Sequence, residues 1–167
     1  MTDPNFTRRA IRPLSAIAAA AALSAVLAAC SAFSGGGTPE ALPVGLSARM
    51  DQPGASLDRA QALGLVNAYR ATVGAPALTA DAALDAQAQE LANQYAASGS
   101  TPRTPQGLAA MRTSAGYATF AETFSGWRNS PPDAAALATA NAQRAGIAVA
   151  ANPASTYGVH WVLVLGQ

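Results

Sequence analysis

The side chains best suited to chemistry lie in residues 118–138, where two acids flank a tryptophan. Glu122 precedes Trp127, and Asp133 follows a Ser-Pro-Pro turn. Carboxylates act as general acids or bases, and they bind divalent metals when histidines or further acids join them. The chain holds one histidine, His160. Glu122, Asp133 and His160 are therefore the candidate catalytic residues.

Both acids also have a structural interpretation. Residues 119–122, Thr-Phe-Ala-Glu, fit a capping box, in which the Thr hydroxyl and the Glu carboxylate accept from backbone N–H groups at a helix start. We expect this role for Glu122, with a role in a cleft as the alternative. Asp133 lies three residues after Ser130, a suitable N-cap that Pro131 follows at the first helical position. We expect Asp133 to stabilise that helix start, because a lone carboxylate binds metal poorly.

The aromatic residues and His160 predict packing. Phe120, Phe124 and Trp127 recur at helical spacing and form the buried face of a helix. The groove beside Trp127 is the expected ligand site. His160 lies inside an apolar strand, where we expect a hydrogen-bonded histidine in the core or on a sheet face, and a ligand or base role is the alternative. With no second histidine, no metal and no cofactor is expected.

The N-terminal segment predicts export and lipid attachment. Three arginines precede an apolar run that ends in Leu27-Ala28-Ala29-Cys30. This arrangement resembles a bacterial lipoprotein signal, in which Cys30 becomes the lipidated first residue; an ordinary secretory signal is the alternative. Residues 1–29 are thus the predicted signal peptide. The expected partner is a membrane, reached through lipid on Cys30, and Ser31 after it favours the outer membrane on its periplasmic or surface side.

The remaining composition predicts a tether and one domain. Residues 30–56 are rich in Gly, Pro and Ser and read as a flexible linker, which leaves residues 57–167 as a single domain. Cys30 is the only cysteine, so the domain is held together by packing without disulfides. Ten basic residues against nine acidic ones, without a basic cluster, exclude nucleic acid as an expected partner.

Periodicity and turn residues divide the domain into elements. Helices are expected over 57–73, with Ser56 as N-cap, and over 80–97, with Thr79 as N-cap, and a short helix over 107–115. Apolar, β-branched strands are expected over 145–151 and 158–165. The last strand is apolar on both faces, which places it in the middle of a sheet with helices on either side.

Four segments stand out when the chain is taken in order. They are the Asn-x-x-Arg helix Leu65–Arg70 with Gly74, the segment Trp127-Arg128-Asn129-Ser130-Pro131, the strand Arg144–Ala150 and the aromatic strand Tyr157–Leu165. In this order they resemble the CAP superfamily, the fold of cysteine-rich secretory proteins, antigen 5 and pathogenesis-related proteins. The resemblance implies an α+β fold, an α-β-α sandwich in which a small central sheet carries helices on both faces.

The resemblance also implies a site that this chain lacks. Family members often carry a cleft with two histidines and one or two glutamates. The loop 98–106 has no histidine, and Asp133 stands where the second is expected, after Ser-Pro. Glu122 is the one candidate remnant of the family's Ala-Glu-Asn segment.

These observations predict a lipid-anchored, exported CAP-domain protein of the bacterial envelope. It would be a non-catalytic binding or accessory module with an unknown envelope ligand. One alternative is a hydrolase or peptidase that uses Glu122 and His160. Another is a decayed family member without any ligand. The loss of the histidine pair favours a protein that is not an enzyme.

Overall fold

The computed structural model describes residues 43–167, so the predicted signal peptide and Cys30 lie outside the described residues. Within that range no helix is long and apolar enough to cross a membrane. The elements in chain order are α1 Val44–Ser47, α2 Arg59–Thr72, β1 Thr79–Ala80, α3 Ala82–Ser98, β2 Leu108–Ala115, α4 Phe120–Asn129, α5 Pro131–Leu137, β3 Arg144–Ala151 and β4 Val159–Gly166.

A four-stranded sheet in the order β1-β3-β4-β2 forms the centre of the domain. β4 runs antiparallel to both of its neighbours, and β1 runs parallel to β3. Every residue of β4 is buried. The prediction that the last strand lies in the middle of the sheet is therefore confirmed.

Helices cover both faces of this sheet because successive side chains of β4 point in opposite directions. Trp161, Leu163 and Leu165 pack with buried residues of α2 and α4. Val162 and Val164 pack with buried residues of α3. The result is the expected α-β-α sandwich.

The predicted short helix over 107–115 is wrong, because this segment forms β2. Its residues pair with β4, with Met111 opposite Val164. Met111 is buried in the cluster that faces α3. Backbone pairing with the central strand β4 favours the extended conformation more than the spacing of Leu108 and Met111 favours a helix. This pairing involves a distant segment, so a local sequence pattern does not reveal it.

The two long helices begin later than predicted, and each begins at an aspartate. Asp58 caps α2 in place of Ser56, because its carboxylate accepts from the Gln61 amide at 2.9 Å. Asp81 caps α3 in place of Thr79. Thr79 belongs to β1 instead, where parallel pairing with β3 holds it in an extended conformation.

The packed domain also begins before residue 57, so the predicted linker 30–56 is too long. Leu46 and Met50 are buried in the same core cluster as α2 and α4. The Met50 amide donates to the Ala118 carbonyl at 2.8 Å. Two apolar side chains that fill the core fix this segment despite its glycine and proline content.

Arg70 is the one arginine among residues 43–167 that is fully buried, and it has no acidic partner there. Its guanidinium donates to a carbonyl after α2 and to three carbonyls between the end of α5 and β3. Pro76 accepts at 2.7 Å, and Leu137, Thr139 and Ala142 accept as well. Burial lowers the pKa of Arg70 from its usual value. These bonds join α2 to the end of α5 and to the chain that enters β3.

Gly146 marks the closest approach between the sheet and α3. A Cβ atom built on Gly146 would lie 2.1 Å from the backbone carbon of Leu84 and 2.3 Å from the amide of Asp85. No side chain fits between β3 and α3 at this point, so the helix backbone rests directly on the strand.

Replacing Arg70 with methionine should lower the free energy of unfolding by at least about 3 kcal/mol, because several buried carbonyls lose their donor. Urea denaturation of the purified protein measures this change. Arg128→Met is the matched control, since Arg128 is exposed, and it should change stability by less than about 0.5 kcal/mol. A loss below about 1 kcal/mol for Arg70→Met would contradict the structural role.

Gly146→Ala should destabilise the protein by about 3 kcal/mol or more, because the added methyl overlaps helix backbone that has no room to move. Gly64→Ala is the contrasting variant, since nothing lies within 4 Å of a Cβ at Gly64 in α2. It should stabilise the protein by roughly 0.5–1 kcal/mol through helix propensity. Thermal and urea unfolding of both variants tests the pair, and equal effects would refute the close contact.

Candidate functional site

α4 begins at the predicted capping box. The Thr119 hydroxyl accepts from the Glu122 amide at 3.2 Å, and Glu122 Oε2 accepts from the Thr119 amide at 3.0 Å. Glu122 Oε2 also accepts from the Thr119 hydroxyl at 3.0 Å. One carboxylate oxygen of Glu122 is thus occupied by the start of the helix.

The buried face of α4 consists of the predicted aromatic residues, Phe120, Phe124 and Trp127. Trp127 is only 2% exposed, and its indole N–H donates to the Thr113 carbonyl at 3.1 Å. The prediction that Trp127 lines a ligand groove is therefore wrong. The same periodicity that makes Trp127 a good core residue removes its ring from the surface.

The opposite face of α4 forms an open groove together with Tyr117. We call it the Tyr117 groove. It has a volume of about 470 Å³ and is lined by Tyr117, Glu122, Ser125, Gly126, Asn129 and Ser130. The four helical members fall at offsets 0, 3, 4 and 7, which is one helical face. The sequence analysis did not predict this groove. The helical spacing that predicted the aromatic face of α4 also places these polar residues together on its opposite face.

The backbone around Tyr117 is fixed by three hydrogen bonds to the core. The Gly116 amide donates to the Val159 carbonyl at 3.0 Å. The indole N–H of Trp161 donates to the Tyr117 carbonyl at 2.9 Å. The carbonyl of the next residue accepts from the Met50 amide. The backbone of Tyr117 is therefore held in place by the core.

Gly126 allows the Tyr117 ring to lie directly on α4. A Cβ atom at Gly126 would lie 3.1 Å from Cε2 and 3.1 Å from the hydroxyl oxygen of Tyr117. Even in this seat the Tyr117 residue stays 42% exposed. The groove therefore presents a fixed and accessible aromatic side chain.

Asp133 does not cap α5, which corrects the sequence prediction. Its carboxylate accepts from Arg112 Nη1 at 2.7 Å, and this ion pair links α5 to β2. Ser130 is the N-cap residue by backbone position, but its side chain makes no capping hydrogen bond. A cation on the adjacent strand offers the Asp133 carboxylate a charged partner, which is stronger than a neutral backbone N–H.

His160 is fully buried on the α3 face of the sheet. Its ring meets Tyr95 of α3 edge-on, with ring centroids 4.7 Å apart. Neither ring nitrogen has a hydrogen-bond partner among residues 43–167, so the expectation of a hydrogen-bonded histidine is wrong. Burial lowers the pKa of His160 below its usual value of 6.5. The strand places the imidazole between the rings of Tyr95 and Tyr157, with centroids 4.7 and 6.5 Å away.

Glu122 and His160 lie on opposite sides of the sheet. Phe120 of α4 packs against Trp161, with ring centroids 5.7 Å apart. His160 is the neighbour of Trp161 in β4, so its side chain points to the other face. Acid–base partners need hydrogen-bond reach or one bridging water. Direct cooperation between Glu122 and His160 is therefore excluded.

The described part of the chain also lacks a metal-binding cluster. Between residues 43 and 167, no three His, Cys, Asp or Glu side chains lie close enough together to hold an ion. Asp133 is paired with Arg112, and Glu122 is tied to the start of α4.

The sequence model of the cysteine-rich secretory protein family, CAP, matches residues 63–165. This match spans more than half of the chain and runs from α2 to β4. The chain belongs to the cysteine-rich secretory protein family. The resemblance drawn from the sequence is thereby confirmed, and so is the α-β-α sandwich that it implied.

Three solved structures are similar to this family member. An outer surface protein of Borrelia burgdorferi is 18% identical with a TM-score of 0.47, covering 66% of this chain and 92% of its own. A cysteine-rich secretory protein of Staphylococcus aureus is 13% identical with a TM-score of 0.48, covering 65% and 38%. MpPR-1i is 21% identical with a TM-score of 0.49, covering 65% and 84%. No curated protein matches the chain in sequence. The family assignment rests on the family match alone.

Lowering the pH from 7.5 to 5.5 should reduce the stability of this CAP domain through His160. Its folded pKa is depressed by burial, so below about 6.5 the unfolded chain binds a proton that the folded chain does not. Stability is therefore lost as the pH falls through this window and is regained as it rises. Urea denaturation at several pH values measures the slope.

His160→Phe provides the control for this pH effect. The phenyl ring keeps the aromatic contact with Tyr95 and carries no titrating group. Since His160 is the only histidine in the chain, the variant should flatten the pH dependence between 7.5 and 5.5. An unchanged slope would show that the titrating group is another one.

Proposed function

We propose that this CAP-family protein is an exported, lipid-anchored module of the bacterial envelope that binds a ligand without catalysis. The observation that carries the proposal is the division of roles between the residues of α4. Its acid serves the helix start, while its exposed face joins Tyr117 in a preformed groove. A surface of this kind is suited to recognition, since it offers an aromatic ring and polar groups but no paired acid and base.

The separation of the titratable groups supports a role without catalysis. Glu122 lies at the Tyr117 groove, Asp133 is paired with Arg112, and His160 is buried behind the sheet. The hydrolase considered from the sequence requires Glu122 and His160 to meet at one substrate. No specific contact favours the hydrolase alternative that the sequence left open.

The preformed groove also argues against a decayed member without a ligand. A glycine inside a helix costs roughly 0.5–1 kcal/mol relative to alanine, and contact with an aromatic ring offsets part of this cost. Gly126 occupies such a position in α4, and its missing side chain seats the ring of Tyr117.

The lipid anchor rests on the sequence before the domain. Cys30 follows an apolar run and small residues, as a lipoprotein signal requires. Residues 31–42 join Cys30 to the packed domain, and at roughly 3.3–3.6 Å per residue they span at most about 43 Å. A domain on such a tether works close to its membrane. We place it at the outer membrane, on the periplasmic or surface side.

The anchor is tested with Cys30→Ser, expressed in a bacterial host that has lipoprotein-processing enzymes. The native chain should incorporate an alkyne-labelled fatty acid and sediment with membranes. Cys30→Ser should lose the label and appear in the soluble exported fraction, because the acylated thiol is gone. In-gel fluorescence and fractionation measure both effects.

Ser34→Ala is the matched control for the anchor. It changes a nearby hydroxyl in the same segment and should leave labelling and sedimentation as they are in the native chain. Fatty-acid label that persists in Cys30→Ser would refute the lipoprotein assignment. Loss of label without release from membranes would refute the lipid as the anchor.

A further inference from the structure

We infer that the Tyr117 groove binds a neutral oligosaccharide. The inference rests on the proposed binding function and names the chemical class of its ligand. Four observations carry it: the seating of the Tyr117 ring, the free polar groups beside it, the absence of a cation along the groove and the fixed backbone below it.

The aromatic ring supplies a surface for the apolar face of a sugar. A tyrosine that serves only the core is buried, yet Tyr117 is 42% exposed while its ring rests on Gly126. The C–H-bearing face of a pyranose packs against such a ring, and the phenol remains free for a hydrogen bond. The absence of a side chain at Gly126 leaves room for this ring against α4.

The polar groups beside the ring match hydroxyl and acetamido groups. Glu122 Oε1 makes no hydrogen bond within residues 43–167, because both bonds from Thr119 go to Oε2. The Ser130 side chain makes no capping bond, so its hydroxyl is available. Asn129 adds an amide, whose NH2 group donates to the Ser125 hydroxyl at 3.5 Å and whose oxygen makes no hydrogen bond within residues 43–167. Sugar hydroxyls likewise donate and accept, so each of these groups finds a partner.

Charge along the groove disfavours anionic ligands. No lysine or arginine is among its lining residues, and Arg49, which lies near Glu122, is paired with Asp51, whereas Glu122 adds a carboxylate. The one arginine of α4, Arg128, lies beside Phe124 in a separate groove between α2 and α4. Phosphate, sulfate and carboxylate groups are recognised by arginine and lysine, so phosphorylated or sulfated ligands lack their usual partner here.

The groove is long and rigid enough for a short chain of sugars. From Glu122 to Asn129 the helix rises roughly 10 Å, at 1.5 Å per residue. The backbone hydrogen bonds of Gly116, Tyr117 and Ala118 hold the ring beside this row. A surface that is already ordered loses little entropy on binding, which favours a weakly interacting, hydroxyl-rich ligand.

The test is calorimetric titration of the full-length protein in detergent micelles with N-acetylglucosamine tetrasaccharide, a neutral probe. The native protein should bind it, and Tyr117→Ala should weaken binding at least about tenfold, as loss of a central aromatic contact does. Gly126→Ala should also weaken binding, because the new methyl displaces the ring. Tyr117→Phe keeps the ring and should remain within about threefold of the native affinity.

Tyr157→Ala is the matched control, because Tyr157 is 55% exposed but does not line the Tyr117 groove. It should bind like the native protein, and circular dichroism checks that every variant is folded. Equal affinity of native protein and Tyr117→Ala would overturn the groove as the site. Failure of the tetrasaccharide to bind at concentrations up to its solubility would overturn the ligand class.

Two further probes separate this inference from the proposed function. A sulfated heparin-derived tetrasaccharide should bind at least about tenfold more weakly than the neutral one, since no cation lines the groove. If oligolysine binds in its place, with loss of binding in Glu122→Gln, the sugar class is overturned while a binding role stands. Fatty-acid labelling of Cys30 reports the anchor independently of all these titrations.

Discussion

The domain depends on one buried cation, Arg70. Its charge is compensated only by backbone carbonyls, including that of Leu137 at the end of α5. A guanidinium placed there also meets the negative end of the helix dipole. Three residues earlier, Asn67 exchanges two hydrogen bonds with the backbone of Leu78, at 2.9 and 2.8 Å. The Asn-x-x-Arg pattern of the family is therefore a structural clamp, which fixes α2 to the turns that lead into the sheet.

Beyond the end of β1, side chains of α2 and α3 form hydrogen bonds with the backbone along the edge of β3. The Ile147 amide donates to Asp85 Oδ1 at 2.9 Å, and Arg59 Nε donates to the Ile147 carbonyl at 2.8 Å. Further along, Gln89 donates to the Val149 carbonyl. Helices α2 and α3 thus satisfy the backbone that a longer β1 would have paired. An edge covered in this way is also protected from pairing with another chain.

These clamps explain why the polar face of α4 is left free. The aromatic face is committed to the core, and the only ion pair of the segment, Asp133 with Arg112, lies on α5. The surface that remains carries Tyr117 on a fixed backbone and a row of polar side chains. Glu122 remains at this surface, beside the Tyr117 ring and neutral polar side chains, but no base is paired with it. The functional proposal keeps the binding role predicted from the sequence and moves its location from Trp127 to the Tyr117 groove.

The sequence by itself determined the features that depend on near neighbours. The capping box of Glu122, the aromatic face of α4 and the central β4 follow from spacing of a few residues, and the order of motifs predicted the family. Only the tertiary structure decided that 108–115 is a strand, that Asp133 pairs with Arg112 and that His160 is buried without a partner. Each of these depends on contacts with elements distant in sequence. The fold brings β4 beside β2 and Arg112 beside Asp133, and it covers His160 with α3 so that water does not reach the surface of its side chain.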